Sequence, residues 1–396
     1  MQAVILAAGK GTRTYPLTLT RPKPLLKAAN RTVIEHNLEQ LEGLVDEAII
    51  VTGFKGEMIR ETLGEKRGAI KLTYVRQEKQ DGTGGALLLC KDMLGDRFIV
   101  MNGDDFFSRK DMEACIKHNH CVLAKEVHEP SHFGIFELDG NKVKGFEEKP
   151  RAPKSNLANT GMYVFDKSVF SHVLKKTPRG EYEIVDYVKF LVGSGKDVVC
   201  EKVSGYWLPT PHPWDLLEAN AHFLGQLEKG DIRGEVEQGV TIKGHAIIGE
   251  GTRVLSGVYM EGNVMIGKGC KIGPNCYIRG PVTIGDNCHV GQAVEIKNSI
   301  IGNGSKIPHL SYVGDSVIGE NVNFGAGTKA ANLRHDNKNV MSMVKGKLLD
   351  TGRRKLGTIV GDGVHTGINT SIYPGRKIWP GKSTAPGEAV KEDITS

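Results

Sequence analysis

Glycines and cations gather near the start of the chain in a pattern suited to phosphate chemistry. The apolar run Ala3-Val4-Ile5-Leu6-Ala7-Ala8 is followed by Gly9-Lys10-Gly11-Thr12-Arg13 and then by Arg21-Pro22-Lys23-Pro24. Glycine lets backbone N–H groups come close to a phosphate, and Arg13 and Lys23 carry the charge to neutralise it. The loop lacks the Gly-Lys-Ser/Thr ending of a Walker motif and is not read as one. A second apolar run, Ile99-Val100-Met101-Asn102-Gly103, ends on the carboxylate of Asp104. Seven cysteines without a Cys-x-x-Cys pair offer neither a disulfide framework nor a four-cysteine zinc site, and they point to a reducing cytoplasm.

Strands and turns must hold these groups, and the chain supplies them in two different patterns. In the first half, apolar runs such as Ala3–Ala8 and Glu47–Thr52 read as parallel strands, alternating with helical stretches such as Val33–Leu44. In the second half an aliphatic residue returns every six positions from Ile242, at Ile248, Val254, Met260, Ile266, Ile272, Ile278, Ile284, Val290 and Ile296. The phase slips by one at Ile301, runs through Ile307 and Val313, slips again at Ile318 and reaches Phe324. It resumes at Val360, Thr366, Ile372 and Ile378. That period suits neither a helix nor a simple alternating strand. It fits a coil with three flat faces per turn, aliphatic residues along the axis and glycine at the corners. Cys270, Cys276 and Cys288 share the grid and read as small corner residues rather than metal ligands.

Of the 50 glycines, 22 lie in residues 1–233 and 28 in 234–396, so the composition changes where the repeat begins. The expected domains are 1–228 and 229–396. A connecting helix is expected from Pro213 to Lys229, with Leu217, Ala221, Leu224 and Leu227 as its apolar stripe. A basic, non-repeating loop over about 334–356 interrupts the coil, and the tail after Ile378 is expected to cap it or fray.

The full string Leu6–Arg13 with Pro22-Lys23-Pro24 resembles the signature of sugar-1-phosphate nucleotidylyltransferases. The resemblance implies an α/β, Rossmann-like mixed sheet, with Arg13 and Lys23 as catalytic cations. Leu6, Ala8, Gly9, Gly11 and Thr12 would bind nucleotide, and Gln77, Gly82 and Thr83 of Gln77…Asp81-Gly82-Thr83-Gly84 would read a pyrimidine. Asp104 would hold Mg²⁺ against the α-phosphate. Gly134, Glu148, Lys149, Asn159 and Gly161 would hold the sugar phosphate. One position departs from the family. Where a second metal ligand should follow an aromatic, Tyr206-Trp207-Leu208 leads into Pro209, which has no donor side chain; Asp105 and Asp215 are the nearby substitutes.

The repeat resembles the hexapeptide left-handed parallel β-helix of acyltransferases, and the whole chain resembles the archaeal-type bifunctional amino-sugar-1-phosphate acetyltransferase/uridylyltransferases. The segment Lys306-Ile307-Pro308-His309-Leu310-Ser311-Tyr312-Val313-Gly314-Asp315 carries that likeness, with Asn321–Thr328 and Asn332-Leu333-Arg334 after it. It implies His309 as the general base that frees a sugar amine to attack acetyl-CoA. Arg279, Lys297 and Lys338 would neutralise the sugar phosphate, Tyr312 and Asn323 would hold its oxygens, and Asn332 would orient the acetyl group. Trimerisation is implied too, as a homotrimer or dimer of trimers, with the basic loop reaching a neighbour's acyl-CoA phosphates.

Fifty-two Lys+Arg against 46 Asp+Glu give a net charge of +6, mild for this length and suited to anionic small substrates. No nucleic-acid or membrane partner is expected, and the N-terminal run reads as a strand rather than a signal peptide. The expected substrates are a hexosamine-1-phosphate, acetyl-CoA, and UTP or dTTP. Two alternatives stand: an acetyltransferase whose first domain is silenced by Pro209, or a non-catalytic assembly subunit like those of translation-initiation exchange factors.

Overall fold

The computed structural model describes residues 1–395. The chain forms two compact units. One comprises Met1–Lys10, Pro22–Leu25 and Val33–Pro209; the other comprises Gly11–Arg21, Leu26–Thr32 and the chain from Thr210 onward.

The first unit is built on a ten-stranded mixed sheet. The strand Gln2–Ala7 lies at its centre, parallel to Glu47–Thr52 on one side and Arg97–Asn102 on the other. Val4, Ile5, Ile49, Ile50, Ile99 and Val100 are all fully buried, which is why these stretches read as continuous apolar runs rather than alternating ones. Beyond Arg97–Asn102 the sheet turns antiparallel through Leu157–Asp166, which also pairs with Cys121–Glu126. The helix expected over Val33–Leu44 ends at Leu41, ahead of Gly43 at φ 76°. A left-handed residue there stops the helix, and glycine adopts it without a Cβ clash.

In the second unit the six-residue grid closes into a left-handed parallel β-helix of three sheets, with eight, seven and eight strands. Ile248, Ile266, Ile284, Ile301, Ile318, Val360 and Ile378 stack in register on one inner face. Met260, Ile278, Ile296 and Val313 stack on another. Each is at most 1% exposed, worth about 1.5–3 kcal/mol apiece on burial. The phase slips at Ile301 and Ile318 are turns one residue shorter, absorbed without breaking the ladder. All seven cysteines of the chain are reduced and buried, and Cys270 and Cys288 sit in successive turns, the Cys288 N–H donating to Cys270 Sγ at 3.3 Å.

Three expectations are corrected here. The connecting helix runs only from Asp215 to Gly225, and its buried residues are Leu216, Leu217, Ala219, Asn220 and Leu224; Ala221 and Leu227 are half-buried. The basic excursion is a β-hairpin, Met341–Val344 paired with Lys347–Asp350, turning at Lys345 (φ 49°) and Gly346 (φ 74°). Two successive positive φ angles make the turn whose twist suits a tight hairpin. The tail neither merely caps nor frays: Ala389–Val390 pairs in parallel with Ser371–Ile372 and extends the coil.

The outer side of one coil face is apolar, and Ile300, Val317 and Ile359 are covered by Leu17, Leu26, Trp214, Leu216, Leu217, Val340, Val344 and Leu356. Segment Gly11–Arg21 is also held there by charge. Arg21 donates to Glu320 at 2.7 Å and to Asp362 at 2.6 Å, and Thr20 Oγ1 donates to Asp362 at 2.6 Å. Burial opposes the Arg21 charge, but these carboxylates outweigh it and hold its pKa above the usual value. Asn30 Nδ2 donates to the Ile284 carbonyl at 2.8 Å, and Asn220 Oδ1 accepts from the Ala29 N–H and from Thr283 Oγ1.

Candidate functional sites

In the first unit the parallel strands end together and deliver the expected phosphate-side residues. Leu6, Ala8 and Gly9 leave the strand Gln2–Ala7, and Asp104 follows its neighbour Arg97–Asn102. The Gly103 N–H donates to the Leu6 carbonyl at 2.9 Å, and a Cβ at Gly103 would lie 2.9 Å from that same oxygen. A Cβ on Gly9 would meet no protein atom within 4 Å, so packing within the chain does not require glycine at this position. Lys23 is buried and reaches Asp104 Oδ2 with its Nζ at 2.7 Å. Gly11, Thr12 and Arg13 belong to the second unit, where Gly11 takes φ 62° and Arg13 is exposed.

The residues expected to read the base are tightly organised. Gln77 is buried and donates through Nε2 to Asp81 Oδ1 at 2.9 Å and to the Gly82 carbonyl at 3.1 Å. Gly82 at φ 107° opens the helix Thr83–Leu88, and Thr83 Oγ1 accepts from the Ile184 N–H. Gln80, which the sequence did not single out, donates to the Ala8 carbonyl at 2.8 Å and ties this loop to the glycine loop.

On the sugar side, Gly134 pairs with Glu148 across two antiparallel strands, and a Cβ there would lie 2.3 Å from Phe146. Lys149 Nζ lies 3.7 Å from Glu148, and Arg179 reaches Glu148 at 4.0 Å while pairing with Glu183. Asn159 sits where Leu157–Asp166 breaks register with Cys121–Glu126, the kind of bulge that re-aims side chains beside a site. Its Nδ2 donates to Tyr163 OH at 2.7 Å, and its Oδ1 accepts from the Gly161 N–H at 3.0 Å. Gly161 takes φ 83° with Asn102 Nδ2 only 2.1 Å from the position of a Cβ, so a side chain there would be strained and would displace Asn102. Tyr163 and Arg179 escaped the sequence reading because nothing local marks a buried phenol or a loop arginine as a site partner.

The residues present fit one magnesium ion shared with a triphosphate. Asp104 offers the single carboxylate, and Pro209, paired with Asp105 across two short antiparallel strands, offers none. Asp105 does not substitute: it is buried and accepts from the Trp207 indole at 3.3 Å. Asp215 is spent on the His212 N–H at 2.7 Å. No group of three or more acidic, histidine or cysteine ligands occurs among the described residues, so an ion held by Asp104 would need phosphate oxygens and water for its remaining ligands.

In the second unit, four expected residues converge on the outer side of one coil face. Arg279 and Lys297 occupy the same register position on successive strands, with Gly314 next in the column. Lys297 Nζ bridges both oxygens of Asp315, at 3.0 and 2.8 Å. Asn298 Nδ2 donates to the same carboxylate at 2.7 Å, and Asn332 Nδ2 donates to it and to Tyr312 OH at 3.0 Å. A Cβ at Gly314 would collide with Tyr312 OH at 2.4 Å and Asn332 Nδ2 at 2.7 Å, so glycine opens this cradle. Arg279 pairs with Glu295 at 2.7 Å. Burial pushes the Tyr312 phenol up, assisted by Glu295 and Asp315. Asp315, 5% exposed in its side chain, is the residue the sequence reading quoted without a role. The register that pairs Lys297 with Gly314 brings Asp315 beside it, a proximity set by the shortened turn.

His309 ends the strand Lys306–His309 on the adjoining face, exposed, and stacked in register on Gln292. Its carbonyl is fixed by Ser311 Oγ at 2.7 Å and the Gly327 N–H at 3.2 Å. Asn323 lies on that adjoining face between Lys306 and His365. Lys338 is exposed on the excursion before the hairpin, its N–H donating to Asp336. Neither Asn323, Lys338 nor His309 is hydrogen-bonded to the Lys297–Asp315 cluster.

A mixed α/β sheet followed by a hexapeptide β-helix defines a nucleotidyltransferase-type domain joined to a parallel coil. The nucleotidyl transferase family matches residues 2–226, and the GMPPB C-terminal domain family matches 260–386. The chain is 44% identical over 390 residues to the bifunctional protein GlmU of Methanocaldococcus jannaschii, covering 97% of this chain and 94% of that one. It is 49% identical to GlmU of Methanococcus maripaludis, covering 96% and 92%. It is 40% identical to the bifunctional sugar-1-phosphate nucleotidylyltransferase/acetyltransferase of Sulfurisphaera tokodaii, covering 100% and 98%. Among solved structures, a Bacillus anthracis chain assigned to the glucose-1-phosphate thymidylyltransferases, in complex with sucrose, superposes with TM-score 0.52 at 35% identity, covering 56% of this chain and 94% of that one. The chain therefore belongs to the family of bifunctional GlmU-type nucleotidyltransferase/acetyltransferases. It is an enzyme, and no helix among its described residues is long and apolar enough to cross a membrane.

Proposed function

We propose that this enzyme acetylates glucosamine-1-phosphate, or a closely related hexosamine-1-phosphate, and then couples the product to UTP, with dTTP as the competing nucleotide. Acetyl transfer is assigned to 229–396 and nucleotidyl transfer to 1–228. The observation that carries the reading is the Arg279, Lys297, Asp315, Tyr312 and Asn332 cluster, laid out on a coil face one strand away from an exposed imidazole. A coil serving only as scaffold has no use for a nearly buried ion pair on its outer side, because desolvating the two charges is costly.

The chemistry follows from the side chains. His309 takes a proton from the sugar amine as the amine nitrogen attacks the thioester carbonyl; the C–S bond breaks, and the imidazolium returns that proton to the sulfur so that CoA leaves as the thiol. Arg279, Lys297 and Lys338 balance the sugar-phosphate dianion, with Asn323 and Tyr312 on its oxygens and Asn332 orienting the acetyl carbonyl. In the second reaction a sugar-phosphate oxygen attacks the α-phosphorus of the nucleotide and pyrophosphate leaves. Lys23 and Arg13 neutralise charge along that path, Gln77, Gly82 and Thr83 hold the base, and Gly134, Glu148, Lys149, Asn159 and Gly161 hold the sugar. Mg²⁺, when bound with the triphosphate, supplies further charge neutralisation, and Asp104 is the residue that would hold it. A homotrimer or dimer of trimers would set the acetyl-transfer site between neighbouring coils. The reduced, buried cysteines suit a cytoplasmic location.

Pro209 favours a second reading, in which only acetyl transfer survives. One experiment separates them: pyrophosphate release from UTP, N-acetylglucosamine-1-phosphate and Mg²⁺, beside CoA release from acetyl-CoA and glucosamine-1-phosphate. Release of both products supports the bifunctional reading. CoA without pyrophosphate supports the second, and neither product defeats the proposal.

A further inference from the structure

The amide of Gln77 has only one workable orientation. Its two nitrogen contacts, Asp81 Oδ1 at 2.9 Å and the Gly82 carbonyl at 3.1 Å, are both pure acceptors, so the NH₂ end must face them. Its carbonyl oxygen then points away, able only to accept. Asp81 is itself held in place. Its carbonyl accepts from the Tyr182 N–H at 2.6 Å, and its carboxylate occupies space that a Cβ on Gly85 would invade at 2.4 Å. The adjoining Gly82 is equally constrained, with Tyr182 O 2.3 Å from the position of a Cβ.

We propose that Asp81 is a positioning residue that makes Gln77 a one-way reader of the pyrimidine: it selects bases whose ring N3 carries a hydrogen, uracil and thymine, and rejects cytosine, whose N3 is an acceptor. The inference rests on the reading that Gln77 faces the base. Without Asp81 the amide loses one of the two partners that fix it and can turn its NH₂ toward cytosine. With Asp81 present, a cytosine N3 meets the Gln77 oxygen, acceptor against acceptor, and the contact is lost.

The test is calorimetric binding of UTP and of CTP to the full-length protein with Mg²⁺, without sugar phosphate so that nothing turns over. The unaltered enzyme is expected to favour UTP by at least about tenfold, and Asp81→Ala to bring the ratio below about threefold. Gly85→Ala, which keeps the carboxylate but displaces it, is expected to move the ratio the same way. A far-ultraviolet circular dichroism spectrum and thermal transition matching those of the unaltered protein report an intact fold in both variants. An unchanged UTP/CTP ratio in Asp81→Ala, or an equal loss of both nucleotides, overturns the role of Asp81. Gln77→Ala that binds both nucleotides as the unaltered enzyme does, or an unaltered enzyme that binds neither, overturns instead the underlying reading of Gln77.

Discussion

Asp315 is the buried carboxylate on which the Lys297 cluster converges. It takes hydrogen bonds from Lys297, Asn298 and Asn332 at once, so it fixes the direction of a cation and an amide that the acetyl-transfer reading places on the substrate. Asp315→Asn keeps the shape and removes the charge that orients Lys297. A charge-assisted hydrogen bond contributes about 1.5–3 kcal/mol, so kcat/KM for glucosamine-1-phosphate should fall roughly 10- to 100-fold. The loss should appear mainly in KM for the sugar phosphate, and KM for acetyl-CoA should hold. An unchanged KM for the sugar phosphate would remove Asp315 from the site. The sequence made Lys297, Tyr312 and Asn332 visible because motif strings carry them. Asp315 and Tyr163 were not visible as partners, because their roles depend on neighbours 18 and 4 residues away that only the folded register brings together.

At the scale of elements, the legible part was the part with a local period. One six-residue series of axial residues could be placed from the chain alone, whereas Val258, Val264, Val282, Val294, Val322 and Val364, buried two positions ahead of it, could not, because Thr, Cys and Ser interrupt their series. The hairpin over Met341–Asp350 was not legible: its strands are four residues long, and its turn is Lys-Gly rather than the stronger Asn-Gly. Nor was the docking of Gly11–Arg21 against Glu320 and Asp362, some 300 residues away. That anchor should matter to stability. Arg21→Ala leaves two mostly buried carboxylates facing each other, a loss of about 3 kcal/mol, read as an earlier thermal transition. Arg21→Lys should restore part of it, and a variant melting with the unaltered protein would show the anchor to be idle. In the other unit, Glu47 joins three strands through Thr73, Lys71 and Gln2. The Thr73 hydrogen bond leads the causes that bring its pKa down from 4.5 to about 2. Its stabilisation is complete above the unfolded-state value and is lost as pH falls from about 4.5 toward 2. Glu47→Gln should therefore melt earlier than the unaltered protein at pH 7, with the gap closing near pH 2.

The whole molecule carries two chemistries whose proposed key groups, His309 and Asp104, lie in different compact units. If each reaction uses its own groups, the acetylated sugar phosphate must leave one site before it is consumed at the other, and the two defects should complement each other in trans. His309→Ala should fail with glucosamine-1-phosphate yet release pyrophosphate normally when given N-acetylglucosamine-1-phosphate and UTP. Asp104→Asn should release CoA normally and accumulate the N-acetylated sugar phosphate, because the carboxylate that pairs with Lys23 has lost its charge. Mixed in equal amounts, the two variants should make the nucleotide sugar from glucosamine-1-phosphate after a lag, and the lag should shorten as both concentrations rise. That concentration dependence is what a diffusing intermediate requires. Acetyl transfer that persists at full rate in His309→Ala would remove the imidazole from its role. A mixture that stays inactive although each variant keeps its own half-reaction would mean that the intermediate passes between sites without release.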